Sequence, residues 1–421
     1  MAVEISSSRK SRPATARARR SLVATLVALA VGWGGMVYAA NQSVQGAKKE
    51  EPGGFDGDAP TAILIEASSG SVLFEKNADE LRAPSSMMKL MTTEVVFHAI
   101  KQGEIKLTDE YRVSENAWRK GGAPAGGSTM FAILNSKISV DDLLHGAIIQ
   151  SGNDACIALA EGMAGNERIF AAERMTKRAR ELGLTQSTFA NSNGLPDPGN
   201  KMTVRELAKL ARYIIQTYPE FYKLFGEKEF TWNKIRQQNR NPLLTSTLEG
   251  ADGLKTGYTK DGGYGMVGSA VQNGIRLIVV INGLEDPDDR ASEAKKMLEW
   301  GFHNFEARTL FASEQPVGYA KVFGGESRSV KLASTEPIKV MVQKNGNDKL
   351  IARVIYNGPV RAPVASGQPV GIVRVWRGGN IAMEAPVFAA EQVDVGSTMR
   401  RAIDGASELV IGMFRLGAEK L

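Results

Sequence analysis

The sequence predicts an α+β domain whose first and last strands share one sheet, followed by a small all-β domain and a C-terminal amphipathic helix. Three observations carry that reading. Short β-like runs occur at 62–75 and again at 253–281, with apolar helical stretches between them. Past residue 305 the texture changes to brief alternating runs punctuated by Gly and Pro. From Ser397 onward, apolar residues recur at helical spacing. A chain of 421 residues that is 43% hydrophobic can bury a substantial core, and its length fits two or three folded units.

Residues 1–40 open with a basic stretch (Arg9, Lys10, Arg12, Arg17, Arg19, Arg20) that precedes the apolar run Leu22–Ala40. Val37 and Ala39 stand where small residues precede a cleavage point, the pattern of a secretory signal peptide. The alternative is a retained N-terminal membrane helix, since the run approaches the length that crosses a bilayer; on either reading the rest is exported. Much of the formal charge of +6 lies in this segment. The remainder is close to neutral, so no nucleic-acid footprint is expected. Cys156 is the only cysteine and cannot form an intrachain disulfide.

Residues 41–55 are polar, aperiodic and Pro/Gly-containing, and read as a linker. The domain at 56–305 starts with a hairpin, Ala62–Glu66 and Val72–Glu75 flanking the turn Ser68–Ser71. Leu90–Ile100 is apolar on nearly all sides, as a buried helix is. Between Val140 and Gly165 two helical stretches break at Ser151-Gly152-Asn153. Met202–Thr217 is amphipathic, with Leu207, Leu210, Ala211 and Ile214 on one stripe. Strands return around Gly253–Tyr258, Tyr264–Val271 and, after the turn pair Asn273-Gly274, Ile275–Ile281. A helix from about Arg290 to Phe305 closes the domain. Residues 306–396 form the β domain, with Val340–Val342, Leu350–Tyr356 and Val370–Val375 among its strands. In the final segment, 397–421, Met399, Ile403, Ala406, Val410, Met413 and Phe414 share a face that suits a membrane surface; docking on the β domain is the alternative.

Three short motifs bear chemistry. Ser86-Met87-Met88-Lys89 opens the buried helix after Pro84, which puts a hydroxyl and an amine one turn apart on one face. An amine in an apolar pocket sheds its proton readily, because desolvation disfavours the ammonium. Taken alone, Ser-x-x-Lys fits a capped helix with a solvated lysine equally well. Ser151-Gly152-Asn153 sets a hydroxyl and an amide at a helix junction, suited to relaying a proton and orienting a carbonyl, although it is also ordinary turn chemistry. Lys255-Thr256-Gly257 lies on an edge-like strand, where an ammonium and a hydroxyl can face a carboxylate while glycine lets a substrate backbone approach.

In this order and context the motifs resemble the signatures of low-molecular-mass penicillin-binding proteins. Gln150–Ala155, Asn193-Gly194-Leu195, Gly250–Thr259 and Trp300-Gly301-Phe302 extend the likeness to the serine-type D-alanyl-D-alanine carboxypeptidases, peptidase family S11, across 56–305. The trailing β domain and terminal helix also resemble that branch. The resemblance implies a β-lactamase/DD-peptidase-like fold, an antiparallel sheet with a helical cluster. It implies removal of the terminal D-alanine from peptidoglycan stem peptides ending in D-Ala-D-Ala, and covalent inhibition by β-lactam antibiotics. In it Ser86 forms the acyl-enzyme, Lys89 is its base, Ser151 passes a proton to the leaving D-alanine, and Asn153 holds the substrate amide. Lys255 supplies positive potential that keeps Lys89 partly neutral, and Thr256 and Arg290, beside Gly257, bind the terminal carboxylate. The oxyanion sits between the N–H groups of Ser86 and Tyr258. Some members carry histidine where this chain has Tyr258, so only the backbone role carries over there. No cofactor is implied, and the protein is expected at the periplasmic face of the inner membrane, held to its surface by the terminal helix.

Other features read as structural. Gly263–Gly268 has dinucleotide-fingerprint spacing but enters a strand, and His98, His145 and His303 share no ligand spacing, so no metal is expected. Gly121–Gly127 fits a loop near the site or a plain surface loop. Two rivals remain: a class A-like β-lactamase, for which no deacylating glutamate stands between Asn191 and Asn200, and a non-catalytic cell-wall scaffold or β-lactam sensor, in which the motif residues would be idle.

Overall fold

The computed structural model describes residues 2–5, 54–344, 346, 349–377 and 380–405, all but Gly54 within one compact unit. The apolar run 22–40 and the terminal segment beyond 405 lie outside the described residues. Among those described, no helix is long and apolar enough to cross a membrane.

The first domain is built on β1 (Thr61–Glu66), β2 (Val72–Lys76), β3 (Ala251–Thr259), β4 (Gly263–Gln272) and β5 (Ile275–Leu284), antiparallel throughout in the order β2-β1-β5-β4-β3. The N-terminal hairpin therefore pairs with the last strand of the domain, Ile65 opposite Ile278, and β3 is left at the edge. The strands are buried on both faces, and alternation divides their side chains between two cores. Ile63, Ile65, Ile278 and Val280 face the helical cluster, whereas Ala62, Leu64, Leu277, Val279 and Ile281 pack with Ala294, Met297 and Leu298. The latter three belong to α5 (Pro287–Asn304), so the sheet is a filling between helical layers.

The helical layer contains α1 (Lys89–Lys101), α2 (Val140–Ile148), α3 (Asn153–Ala164) and α4 (Val204–Thr217). From Lys89 to Phe97 every residue of α1 is buried, which identifies it as the central helix. Caps fix where the others begin. Ser139 accepts from the Asp142 N–H ahead of α2, and Thr203 from the Glu206 N–H ahead of α4. In α5, Asp286 accepts from Asp288 N–H and Pro287 occupies the first turn, so this helix starts earlier than its apolar pattern indicates and takes Arg290 into its first turn.

Beyond α5 a second core forms among β6 (Phe305–Phe311), β7 (Pro316–Phe323), β8 (Ser329–Ala333), β9 (Ile338–Gln343), β10 (Leu350–Tyr356), β11 (Pro369–Arg377) and β12 (Asn380–Ala389). β10, β11, β12, β8 and β7 are successive neighbours in one sheet, which Ala2–Ile5 and Val360–Arg361 extend at its two edges, while β6 pairs with β9. At the junction the Arg377 guanidinium donates to the carbonyls of Met341 (2.9 Å) and Val72 (2.8 Å) and lies over the Phe305 ring, tying the small domain to the hairpin of the first domain's sheet. A helix covers 398–405, the described part of the expected terminal one.

Leu64 is 0% exposed and packs against α5 at Gly301. Leu64→Ala should cost roughly 2–5 kcal/mol, the usual range for a core leucine. Urea unfolding measures it, and a loss under about 1 kcal/mol would contradict the close packing of that layer.

Candidate active site

A single turn, Ser85–Met88, leads into α1. Ser85 stands at φ +50, and Ser85, Met87 and Met88 are buried, leaving Ser86 as the partly exposed residue of the turn. One helical turn on, Lys89 is 1% exposed. Its Nζ lies 2.8 Å from Ser86 Oγ, 2.8 Å from Asn153 Oδ1 and 2.6 Å from the Asn193 carbonyl oxygen. Burial lowers the Lys89 pKa to about 8, against the opposing pull of Cys156, Asp154 and Glu167.

The junction between α2 and α3 brings up the second group. Ser151 sits there at φ +63, almost wholly buried, and its hydroxyl bonds to no other described residue. Asn153 begins α3, its N–H bonded to the Ser128 carbonyl (2.8 Å) and its side chain to Lys89. Just behind, the Asp154 carboxylate accepts from Thr129 Oγ1 (2.6 Å), Met130 N–H (2.9 Å) and Ala132 N–H (3.0 Å), stapling the preceding loop onto the helix start. The glycine-rich stretch Gly121–Gly127 leads into that loop, and Gly127 runs beside Asn153: a Cβ on it would stand 3.3 Å from Asn153 Nδ2.

The third group arrives on the edge strand. Gly257 runs so close to the serine turn that a Cβ would lie 3.1 Å from both the Pro84 carbonyl oxygen and the Met87 nitrogen, which explains glycine there. Lys255 is 2% exposed and donates within this structure to its neighbour's carbonyl, that of Thr256 (3.2 Å). Its pKa falls well below the ordinary value, chiefly through burial and then through the charge of Lys89, with Arg240 and Arg290 adding to the repulsion. Tyr258 is exposed and stacks on Tyr264 with ring centroids 4.1 Å apart, and the Arg290 guanidinium covers Tyr264 at 5.4 Å. The Nε of Arg290 is buried without a hydrogen-bond partner among the described residues.

Lys89 is thus in direct contact with Ser86 and Asn153, Gly257 lies against the serine turn, and Lys255 feels the charges of both Lys89 and Arg290. Several participants carry no motif. The Asn193 carbonyl reaches Lys89 because Gly194, at φ +80, runs so close to the serine turn that any side chain there would collide with the Ser85 carbonyl oxygen. Asn193-Gly194-Leu195 counts in the sequence only toward the family likeness, which gives no hint of that contact. Arg240, bonded to Gln150 Oε1 at 3.3 Å, adds positive charge near Lys255. Of the two causes expected to keep Lys89 partly neutral, burial is the one that acts, while the like-charge effect expected from Lys255 falls instead on Lys255 itself. Cys156 is fully buried, which pushes its thiol up to about 11 and keeps it unreactive. His98 and His145 are partnered by Tyr218 and the Asp141 carbonyl.

Comparison with known proteins bears on what this geometry serves. A family model described as D-alanyl-D-alanine carboxypeptidase matches residues 45–285, more than half of the chain. The chain belongs to the D-alanyl-D-alanine carboxypeptidase family. A second model, the C-terminal domain of penicillin-binding protein 5, matches residues 305–395. D-alanyl-D-alanine carboxypeptidase DacC of Escherichia coli is 41% identical over 82% of this chain and 87% of its own length. DacA of Haemophilus influenzae is 38% identical over 75% and 80%. Among solved structures, penicillin binding protein 5 from Haemophilus influenzae superposes with a TM-score of 0.71 at 36% identity, covering 81% of this chain and 99% of that one. Penicillin-Binding Protein D2 from Listeria monocytogenes, solved in an ampicillin-bound form, gives 0.53 at 28% identity, covering 59% and 99%. The carboxypeptidase fold expected from the motifs is therefore the fold present, trailing β domain included. Among the described residues no carboxylate bonds to Ser86 or Lys89; between Asn191 and Asn200 the only acid, Asp197, is exposed and accepts from the Gly199 N–H.

Gly194→Ala should disturb the serine turn more than the fold. Its acylation by a fluorescent penicillin should drop by about 100-fold, as misplacing a reacting group by ~1 Å does. Near-wild-type acylation by this variant would show that the loop's close approach is dispensable.

Proposed function

We propose that Ser86 is the nucleophile of this serine D-alanyl-D-alanine carboxypeptidase and that Lys89 is its base. One observation carries the proposal: Lys89 Nζ has three oxygen neighbours, Ser86 Oγ, Asn153 Oδ1 and the Asn193 carbonyl. The last two can only accept. A neutral amine has two protons to give, so both go to these oxygens and its lone pair faces the serine hydroxyl.

On this proposal Ser86 loses its proton to Lys89 as Oγ attacks the carbonyl carbon of the penultimate D-alanine. The oxygen that becomes negative is met by the N–H groups of Ser86 and Tyr258. The C–N bond then breaks, and the leaving D-alanine nitrogen takes a proton from Lys89 by way of the Ser151 hydroxyl. Water hydrolyses the ester and restores Ser86. Asn153 Nδ2, on the far side of the amide from Lys89, holds the substrate amide. Lys255, Thr256 and Arg290 bind the terminal carboxylate; the buried, unpartnered Nε of half-buried Arg290 supports that role. β-Lactams would acylate the same serine.

Export to the compartment of the cell wall is supported by the apolar run 22–40 of the sequence and by the substrate. Attachment to the membrane surface by the terminal helix has its support in Met399 and Ile403, 76% and 55% exposed on its first turns.

Intact-mass analysis after benzylpenicillin should show one adduct per chain, absent from Ser86→Ala, which should also fail to release D-alanine from diacetyl-Lys-D-Ala-D-Ala. Equal release by both proteins would discard Ser86 as nucleophile. The pH dependence has a defined sign. Only neutral Lys89 accepts the proton, so with a pKa of about 8 acylation should rise roughly tenfold per pH unit below that value and level off above it. A rate independent of pH from 6 to 9 would exclude Lys89 as base.

A further inference from the structure

Glu167 opens a run of helical segments, Glu167–Ile169, Phe170–Met175 and Thr176–Glu181, on the far side of the Asn193 loop from Lys89. It is 8% exposed and forms no ion pair among the described residues. A single oxygen, Oε1, accepts from Ser192 N–H (3.1 Å), Ser192 Oγ–H (2.7 Å) and Asn193 Nδ2–H (3.0 Å). Thr92, on α1 one turn past Lys89, donates to the Ser192 carbonyl at 2.5 Å and grips the same loop from the opposite side. The loop so held delivers the Asn193 carbonyl to Lys89 Nζ at 2.6 Å.

Resting on the reading of Ser86 and Lys89 above, we propose that Glu167 is a positioning residue for acylation: through Ser192 and Asn193 it fixes the carbonyl that aims the Lys89 lone pair at Ser86, and its charge sets how firmly Lys89 keeps a proton. The two effects differ in kind. The clamp depends on an acceptor oxygen at the end of a side chain of this length; the charge depends on ionisation alone.

Lys89 is faced by Asp154 and Cys156 from α3, by Glu167 from its short helix and by Lys255 from β3. Asp154 spends its carboxylate on its own loop, and Cys156 is a neutral thiol at physiological pH. Lys255 opposes a second positive charge nearby. Glu167 is therefore the carboxylate whose removal changes the field at Lys89 without dismantling the start of α3. Removing its charge favours the neutral amine, so the acid limb of acylation moves to lower pH.

The test uses the full chain and two variants, with acylation by fluorescent benzylpenicillin measured from pH 5.5 to 9.5 and D-alanine release giving kcat and KM. Glu167→Gln keeps an acceptor and loses the charge. Its alkaline plateau should stay within about 3-fold of wild type while the acid limb shifts down by roughly half to one unit. Glu167→Ala loses the clamp as well. Its plateau should fall by about 10–100-fold, mostly in kcat, with KM altered less than about 3-fold and thermal unfolding still cooperative. Should the Ala variant fail to fold, the Gln profile alone decides. A wild-type plateau in the Ala variant, or a Gln variant whose limb stays in place, overturns the inference. Loss of the Ser86 adduct in wild type itself would instead overturn the nucleophile assignment, so the two failures are distinguishable.

Discussion

Taking the Lys89 amine out of water is the constraint from which the rest of the site follows. An unpaired buried ammonium is costly, and the fold places a second one, Lys255, in its field. Two features offset that cost. Each proton of Lys89 has an oxygen, and two carboxylates, Asp154 and Glu167, lie close enough to favour the charged form without touching it. The balance leaves the group near the point where either form is accessible, which a general base requires. A direct carboxylate partner would have held the proton permanently.

Bringing three oxygens to the one buried amine of Lys89 needs backbone closer than side chains allow. The serine turn is flanked by Gly194 on one side and Gly257 on the other, and at both positions an added Cβ would press on the turn's own backbone. Ser85 and Ser151 occupy left-handed conformations that non-glycine residues seldom take, at a cost of order 1–3 kcal/mol each. The surrounding layers sustain that strain: α1 is buried from Lys89 to Phe97, and the sheet behind β3 is covered on both faces.

How much of this was legible in the sequence depended on whether a residue acts through its side chain. Short apolar runs bounded by turn residues at β1, β4 and β5 and the all-round apolarity of α1 made the fold legible, because elements buried on both sides leave continuous apolar stretches. Ser86, Lys89, Asn153 and Lys255 were visible as motif residues with chemical side chains. The Asn193 contribution was not, since a main-chain carbonyl has no residue signature, and its delivery depends on a glycine at φ +80. Glu167 was hidden for another reason: an acid after Asn166 reads as an ordinary helix start, and its bonds to Ser192 and Asn193 span more than twenty residues. The ribbon pairing Glu229–Trp232 with Ile235–Gln238, which leads the chain toward Arg240, also escaped notice, being short and only half apolar.

Arg290, on the proposed assignment, illustrates how a binding charge is kept available. A guanidinium paired with a carboxylate is fixed in place but largely neutralised, and an incoming anion must then displace the partner. Here the side chain is held against the face of Tyr264, which is itself stacked on Tyr258, so orientation comes from an aromatic surface that carries no net charge. Among the described residues, neither Arg290 nor Lys255 forms an ion pair. On the proposed assignment, no carboxylate is bonded to these two groups until the substrate's arrives, Asp288 acting on Arg290 only from a distance. That arrival favours a proton on Lys255, and repulsion between the two lysines then favours a neutral Lys89. Tyr258 braces that aromatic face through its stacking on Tyr264.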